Sequence, residues 1–203
     1  MKITAMVAMA MAAGFGGSMA QAADQERTVA IYIANEHVAV EAANFGKGQA
    51  SKMFARIGVR VQWHSVGRSP LPADALVVDM VERGSKDECA GALACAKPYE
   101  GIHIRVFVDR LGATVPKNMV PALLGHVLVH EITHILQGVD RHSDSGVMKA
   151  RWDVNDFEQM LGRTLPFTGN DVMLIERGLD ARESRLASVV AAKDKDAAQA
   201  GGL

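Results

Sequence analysis

The sequence predicts an α/β (α+β) fold: a mixed, twisted sheet of about four strands with a crossover helix, a longer central helix, and a small helical C-terminal subdomain. Three observations lead there. Short β-branched runs alternate with a helix-period stretch in the first half of the chain, the apolar stretch 118–138 keeps helical spacing between a proline and a glycine, and only helical patterns follow it.

The elements follow in order. "TVAIYIAN" (28–35) is apolar and β-branched, as a buried strand should be. In "VAVEAANFGKGQASKMFARIGV", Val38, Ala42, Phe45, Met53, Phe54 and Ile57 recur at mostly helical spacing up to Gly58, with Gly46 and Gly48 weakening the middle. "VRVQWHSV" alternates as a strand, so strand, helix and strand make a parallel pair with a right-handed crossover. "DALVVDMVE" (74–82) and "GIHIRVFVDRL" (101–111) supply two more strands, and a cysteine-containing loop lies between them. The central helix "NMVPALLGHVLVHEITHILQG" takes Asn118 as its N-cap, tolerates Pro121 in its first turn and stops at Gly138. "DVNDFEQM" is a short helix, and "NDVMLIERGLDARESRLASVVAAKD" is a longer one capped by Asn170 or Asp171. The polar residues 191–203 are expected to form a flexible tail.

Composition bounds the function. The 203 residues, 49% hydrophobic and 22% charged, suit a single core-bearing domain, placed at 23–190. Residues 1–22 place Lys2 before an Ala/Met-rich apolar run ending Ala20-Gln21-Ala22, the pattern of a cleaved signal peptide. Glycines interrupt that run, so no stable membrane anchor is expected, and the protein is expected to be secreted or periplasmic. Cleavage removes Lys2 alone among the charges, leaving 21 basic and 23 acidic side chains, a net charge of −2. That balance gives nucleic acid no electrostatic footprint. Outside the cytosol, Cys89 and Cys95 are expected to form a disulfide closing a small loop, which adds on the order of 2 kcal/mol.

The chemistry concentrates in "HEITHILQGVDRHSDSGVM" (130–148). Histidines four apart on a helix aim their rings at one point, so His130 and His134 can share a metal such as Zn2+. Glu131 lies beside the first ligand, where it can serve as a general base rather than bind the ion. The apolar residues Leu124, Val127, Leu128, Ile132 and Ile135 form an opposing stripe that should pack on the sheet and turn the histidines toward a cleft. His126 extends the histidine stripe but lies ~12 Å along the axis from His134, too far to share the ion, and is expected to pack or support. After Gly138, His142 is the better third donor by type, with Ser143 and Asp144 placed to orient it. Asp140 is the alternative third ligand, and a downstream glutamate, Glu158 or Glu176, is a further one.

This stretch resembles the metzincin clan of zinc metallopeptidases, in which the zinc helix ends at a glycine, a third ligand follows, and a methionine-containing turn underlies the metal. It departs from the common spacing, because Gln137 holds the usual glycine position and Asp140 the usual third-ligand position. The longer form, HExxHxxxGxxxHSxxGxMxxxW through Trp152, is similar to exported bacterial members of that clan. The resemblance implies one catalytic Zn2+ on His130, His134 and His142, Glu131 as base, and Met148 as an apolar floor in a Met-turn. It also implies hydrolysis of a peptide or protein substrate, by a chain expected to be a monomer, with "GIHIRVFVDR" offering an edge to an extended peptide. Two other readings remain open on the residues: an exported protein that keeps the zinc site for structure or ligand binding, and an exported binding module without metal.

Overall fold

The computed structural model describes residues 27–97 and 102–200, with side chains placed through residue 192. The expected signal peptide lies outside the described residues. Five strands form one sheet: β1 (Arg27–Ala34), β2 (Val59–Ser65), β3 (Leu76–Val81), β4 (Ala94–Ala96) and β5 (His103–Phe107). Their spatial order is β2-β1-β3-β5-β4, with every pairing parallel except β4 against β5. The strand beyond the four expected is β4, the three residues "ACA" in the cysteine loop, too short to show a period of two in sequence.

Helix α1 (Val40–Ala55) makes the crossover from β1 to β2, and α2 (Val108–Thr114) follows β5 directly. The strand expected over 101–111 therefore ends at Phe107, where Phe107 and Val108 break the alternation. That strand is also interior, paired with β3 on one side and β4 on the other. It has no free edge for a peptide, whereas β4 ends the sheet among the described residues. The Cys89–Cys95 disulfide is formed, joining β4 to the turn before it. Arg110 on α2 holds the same loop, stacking 3.9 Å from the Phe107 ring and donating to the carbonyls of Ala92 and Ser85.

Helix α3 (Val120–Gln137) is the centre of the molecule. Asn118 does not cap it; a short 3-10 turn, Lys117–Met119, leads in and Met119 occupies the cap position without a side-chain bond. Pro121 sits in the first turn, where no intrahelical donor is needed. Every residue from Ala122 to Gln137 is buried, so the helix is covered all round instead of presenting one stripe to an open cleft. One side packs on α1, β4 and β5, within a core cluster that also holds Ile31, Ile33, Leu76, Val78, Ile104 and Val106 of the strands. Gly46 explains itself here: a Cβ on it would lie 3.2 Å from the backbone nitrogen of Gly125, so the pair lets α1 and α3 approach closely. Gly48 meets nothing within 4 Å, and its place in α1 has no packing reason.

The other side of α3 is covered by α4 (Val154–Gly162) and α5 (Gly169–Ala200). Asp153 caps α4 by accepting from the amides of Asn155 and Asp156, while the Asp156 carboxylate accepts from the Asp153 amide. The cap of α5 is Thr168, not Asn170 or Asp171: the Asp171 amide donates to Thr168 Oγ1 at 3.2 Å and Thr168 N donates back to Asp171 Oδ2 at 2.8 Å. The helix continues to Ala200, through most of the stretch expected as a tail, where Ala, Lys and Gln are good helix formers. Its first half reaches back to the start of β1, because Arg27 donates to the Glu176 carbonyl at 2.9 Å and pairs with Asp180 at 2.5 Å. Arg182 likewise donates to the Asp74 carbonyl just before β3.

Candidate metal centre

His130 and His134 stand one turn apart on α3, with 9% and 5% of their surfaces exposed. The chain after them reverses at Gly138, whose φ of 68° is left-handed and readily adopted only by glycine. The loop that follows returns His142 to the two helical rings, with ring centroids 5.3 Å from His130 and 4.9 Å from His134. One nitrogen from each of the three rings lies within 4.8 Å of the other two. His142 is exposed, and among the described residues its ring makes no hydrogen bond. Asp140 is outside this group, as are the exposed Glu158 and Glu176.

The hydrogen bonds orient the helical rings for a cation. His130 Nδ1–H donates to the Val147 carbonyl at 2.8 Å, and His134 Nδ1 approaches the Val139 carbonyl at 3.4 Å. Each bond holds the proton on Nδ1, leaving Nε2 as the lone-pair donor. The two Nε2 atoms lie 3.1 Å apart. Two lone pairs facing one another repel, and a shared cation resolves the repulsion. Tetrahedral zinc, about 2.0–2.1 Å from each nitrogen, spaces its donors by about 3.3 Å, so the pair fits. Burial, the His134 ring and, more weakly, the His142 ring push His130 down to about 4, against the Val147 carbonyl bond. Burial likewise lowers His134. Both rings are therefore neutral near pH 7, the form that binds metal.

Glu131 is 9% exposed. Burial pushes its carboxyl up to about 7, while the backbone N–H of Ala96 on β4 donates to it and opposes that rise. A carboxyl poised near neutrality can take up and release a proton there. Met148 is fully buried in the core beside Val147, whose carbonyl holds His130. Ser143 N donates to the Met148 carbonyl at 2.8 Å and closes the turn, and Gly146 inside it has a φ of 76°. The Ser143 hydroxyl bonds to Asp171 and Asp144 is exposed, so neither orients the His142 ring as expected.

The remaining expected residues have ordinary roles. His126 donates from Nδ1 to the Ala122 carbonyl at 2.8 Å and accepts at Nε2 from the Leu165 amide at 3.1 Å, which makes it a fully bonded spacer. Trp152 stands edge-on to His130, 5.5 Å between centroids, and walls the cluster. Sequence reasoning missed the Ala96 amide, the Val147 carbonyl and Asp171. The first two are backbone groups with no residue signature. Asp171 has one, the Thr-x-x-Asp pattern of a helix cap at 168–171, but nothing in that pattern points to residue 143.

No family model and no curated protein sequence matches the chain. Among solved structures it is similar to archaemetzincin from Methanopyrus kandleri, with a TM-score of 0.55 and 12% sequence identity over 80% of this chain and 99% of that one. The chain thus has a metzincin-like α/β fold, and on it a group of three histidines able to bind a metal, consistent with zinc.

Proposed function

We propose that this chain is an exported zinc-dependent metalloendopeptidase in which His130, His134 and His142 hold the ion and Glu131 is the general base. The observation that carries the reading is the pair of Nε2 atoms 3.1 Å apart beside a carboxyl pushed up to about 7. Zinc held there would supply Lewis acidity toward a substrate carbonyl and toward water. Glu131 would take the proton from the attacking water and pass it to the departing amine. The Ala96 N–H that donates to Glu131 keeps the carboxylate from drifting as its charge changes. Two rings held by backbone carbonyls cannot swing away when the ion is absent, so the donors are organised in advance.

Only three histidines converge, and among the described residues no fourth acidic or cysteine donor joins them. A structural zinc site takes four protein ligands, while a catalytic one leaves a position open, which favours the enzyme over a zinc staple. Among the described residues no strand pairs with the outer edge of β4, which lies beside Glu131, and an extended peptide adding to that edge would bring its carbonyls to the site. Export rests on the signal-like residues 1–22. The test is the Glu131→Ala protein, with bound zinc measured by mass spectrometry and cleavage of quenched-fluorescent peptides followed in parallel. Stoichiometric zinc with hydrolysis lowered by a hundredfold or more is expected. Unchanged cleavage by zinc-loaded Glu131→Ala would remove the assigned role.

A further inference from the structure

We infer that Asp171, on the helix α5, is a positioning residue for His142: its carboxylate fixes the loop that brings the third histidine to the other two. The inference rests on the reading of His142 as the third metal ligand. His130 and His134 are placed by α3 itself and by bonds to their Nδ1 atoms, but the exposed His142 ring has no such support. Its position must come from its neighbours in the chain, and both of them bind one carboxylate.

Asp171 is 0% exposed, a carboxylate taken wholly out of water. Such a group is tolerated only when its oxygens are fully engaged by donors. Oδ1 accepts from the Ser143 hydroxyl at 2.6 Å and from Arg141 Nη1 at 3.1 Å, and Oδ2 accepts from the Thr168 amide at 2.8 Å and the Thr168 hydroxyl at 2.7 Å. One oxygen therefore serves the cap of α5 and the other serves the loop, gripping it on either side of His142. Arg141 Nη2 adds a bond to Ser143 Oγ at 3.3 Å, tying the two flanking residues to each other. The Asp171 carbonyl accepts from Gln137 Nε2 at 3.3 Å, so the same residue is fastened to the last turn of the histidine helix. Among the described residues, the hydrogen bonds that α5 makes to the end of α3 and to the loop all run through residue 171. Its removal frees the Ser143 hydroxyl and the Arg141 guanidinium together and leaves His142 to sample positions away from the ion.

Groups that hold a metal ligand in place typically contribute 10–100-fold to metal affinity, so the same range is expected here. The experiment measures zinc affinity of the full chain by competition with a chromophoric chelator, for wild type, Asp171→Asn, Ser143→Ala, His142→Ala and the double variant His142→Ala/Ser143→Ala. Ser143→Ala leaves the Thr168–Asp171 cap intact and so separates loop placement from folding of α5. Cobalt(II) absorption in each protein reports how many nitrogen donors reach the ion, which a merely structural role would not change. Asp171→Asn and Ser143→Ala should each weaken zinc about 10–100-fold, with a cobalt spectrum shifted toward that of His142→Ala. The double variant should bind no more weakly than His142→Ala alone, because Ser143 acts through His142. Wild-type affinity in both Asp171→Asn and Ser143→Ala, or additive losses in the double variant, would overturn the inference while leaving His142 as a ligand. Unchanged zinc affinity in His142→Ala would overturn the ligand reading itself, and the inference with it.

Discussion

Gly178 sits on α5 where that helix crosses the end of α3, and replacing it with alanine should destabilise the protein. By helix propensity alone the change stabilises, since alanine is better than glycine in a helix interior by about 1 kcal/mol. The structure reverses the sign. A Cβ on Gly178 would lie 1.6 Å from the Leu136 carbonyl oxygen and 2.8 Å from its carbon. Both partners are backbone in the last turn of α3, so no rotamer change relieves the overlap, and α5 must retreat by roughly 2 Å to reach ordinary contact. Ile175 and Leu179, buried on the same helix, retreat with it. Each is worth about 1.5–3 kcal/mol when fully packed, and a gap of even about 1 Å forfeits up to half of the contact energy. The two losses together come to about 3 kcal/mol, and after the propensity gain the net cost is about 2 kcal/mol. Urea unfolding followed by circular dichroism is the assay: with m of about 2 kcal/mol/M, the midpoint should fall by about 1 M. A midpoint equal to or above wild type would refute the close helix crossing.

Three further outcomes are expected. Burial alone would raise the Asp171 pKa, but bonds from Ser143, Thr168 and Arg141 outweigh it and hold the carboxyl below its ordinary value. A depressed folded pKa contributes stability that is complete above the unfolded value of about 3.9 and is lost as pH falls through the folded value, so the stability gap between wild type and Asp171→Asn should shrink as pH falls below the unfolded value; a pH-independent gap would contradict this. Asp153→Ala removes the carboxylate that accepts from the Asn155 and Asp156 amides, leaves the backbone N–H that donates to Asp156, and should cost about 1 kcal/mol, with no loss in unfolding experiments counting against the cap. Zinc at about 100 times its Kd should stabilise the protein by about 2.7 kcal/mol over the chelator-treated form, and His130→Ala should abolish the difference; superimposable wild-type curves with and without zinc would exclude a native-state metal site.

The parts of the molecule with a strong period were legible in sequence. α3 carries an unbroken helical pattern ended by Gly138, and the structure stops it at Gln137 with that glycine in the left-handed region. β1, β2 and β3 are β-branched runs and appear within two residues of their expected limits. What escaped was decided by partners distant in the chain. The strand "ACA" exists because β5 offers it an edge, and three residues carry no period. Gly46 looked like a weakness of α1 until Gly125 of α3 was placed against it. The metal cluster divides in the same way. The spacing of His130 and His134 is a property of any helix and could be read directly, whereas the approach of His142 depends on a loop whose shape is set by residue 171, 28 positions beyond Ser143.

The clasp between Arg27, at the first residue of β1, and Glu176 and Asp180 on α5 has a consequence for the order of assembly. β1 can pair with β2 and α1 can fold over them while the chain is still growing, because those contacts span fewer than about 40 residues. The strand's beginning, the far side of α3 and the loop carrying His142 all wait for residues 168–182. A ribosome-bound chain short of that segment holds two histidines on a helix and no organised third. The catalytic arrangement proposed for this protein is thus withheld until residues 168–182 have been made, and a truncation before residue 168 should yield a chain that cannot form it, however well its sheet has folded.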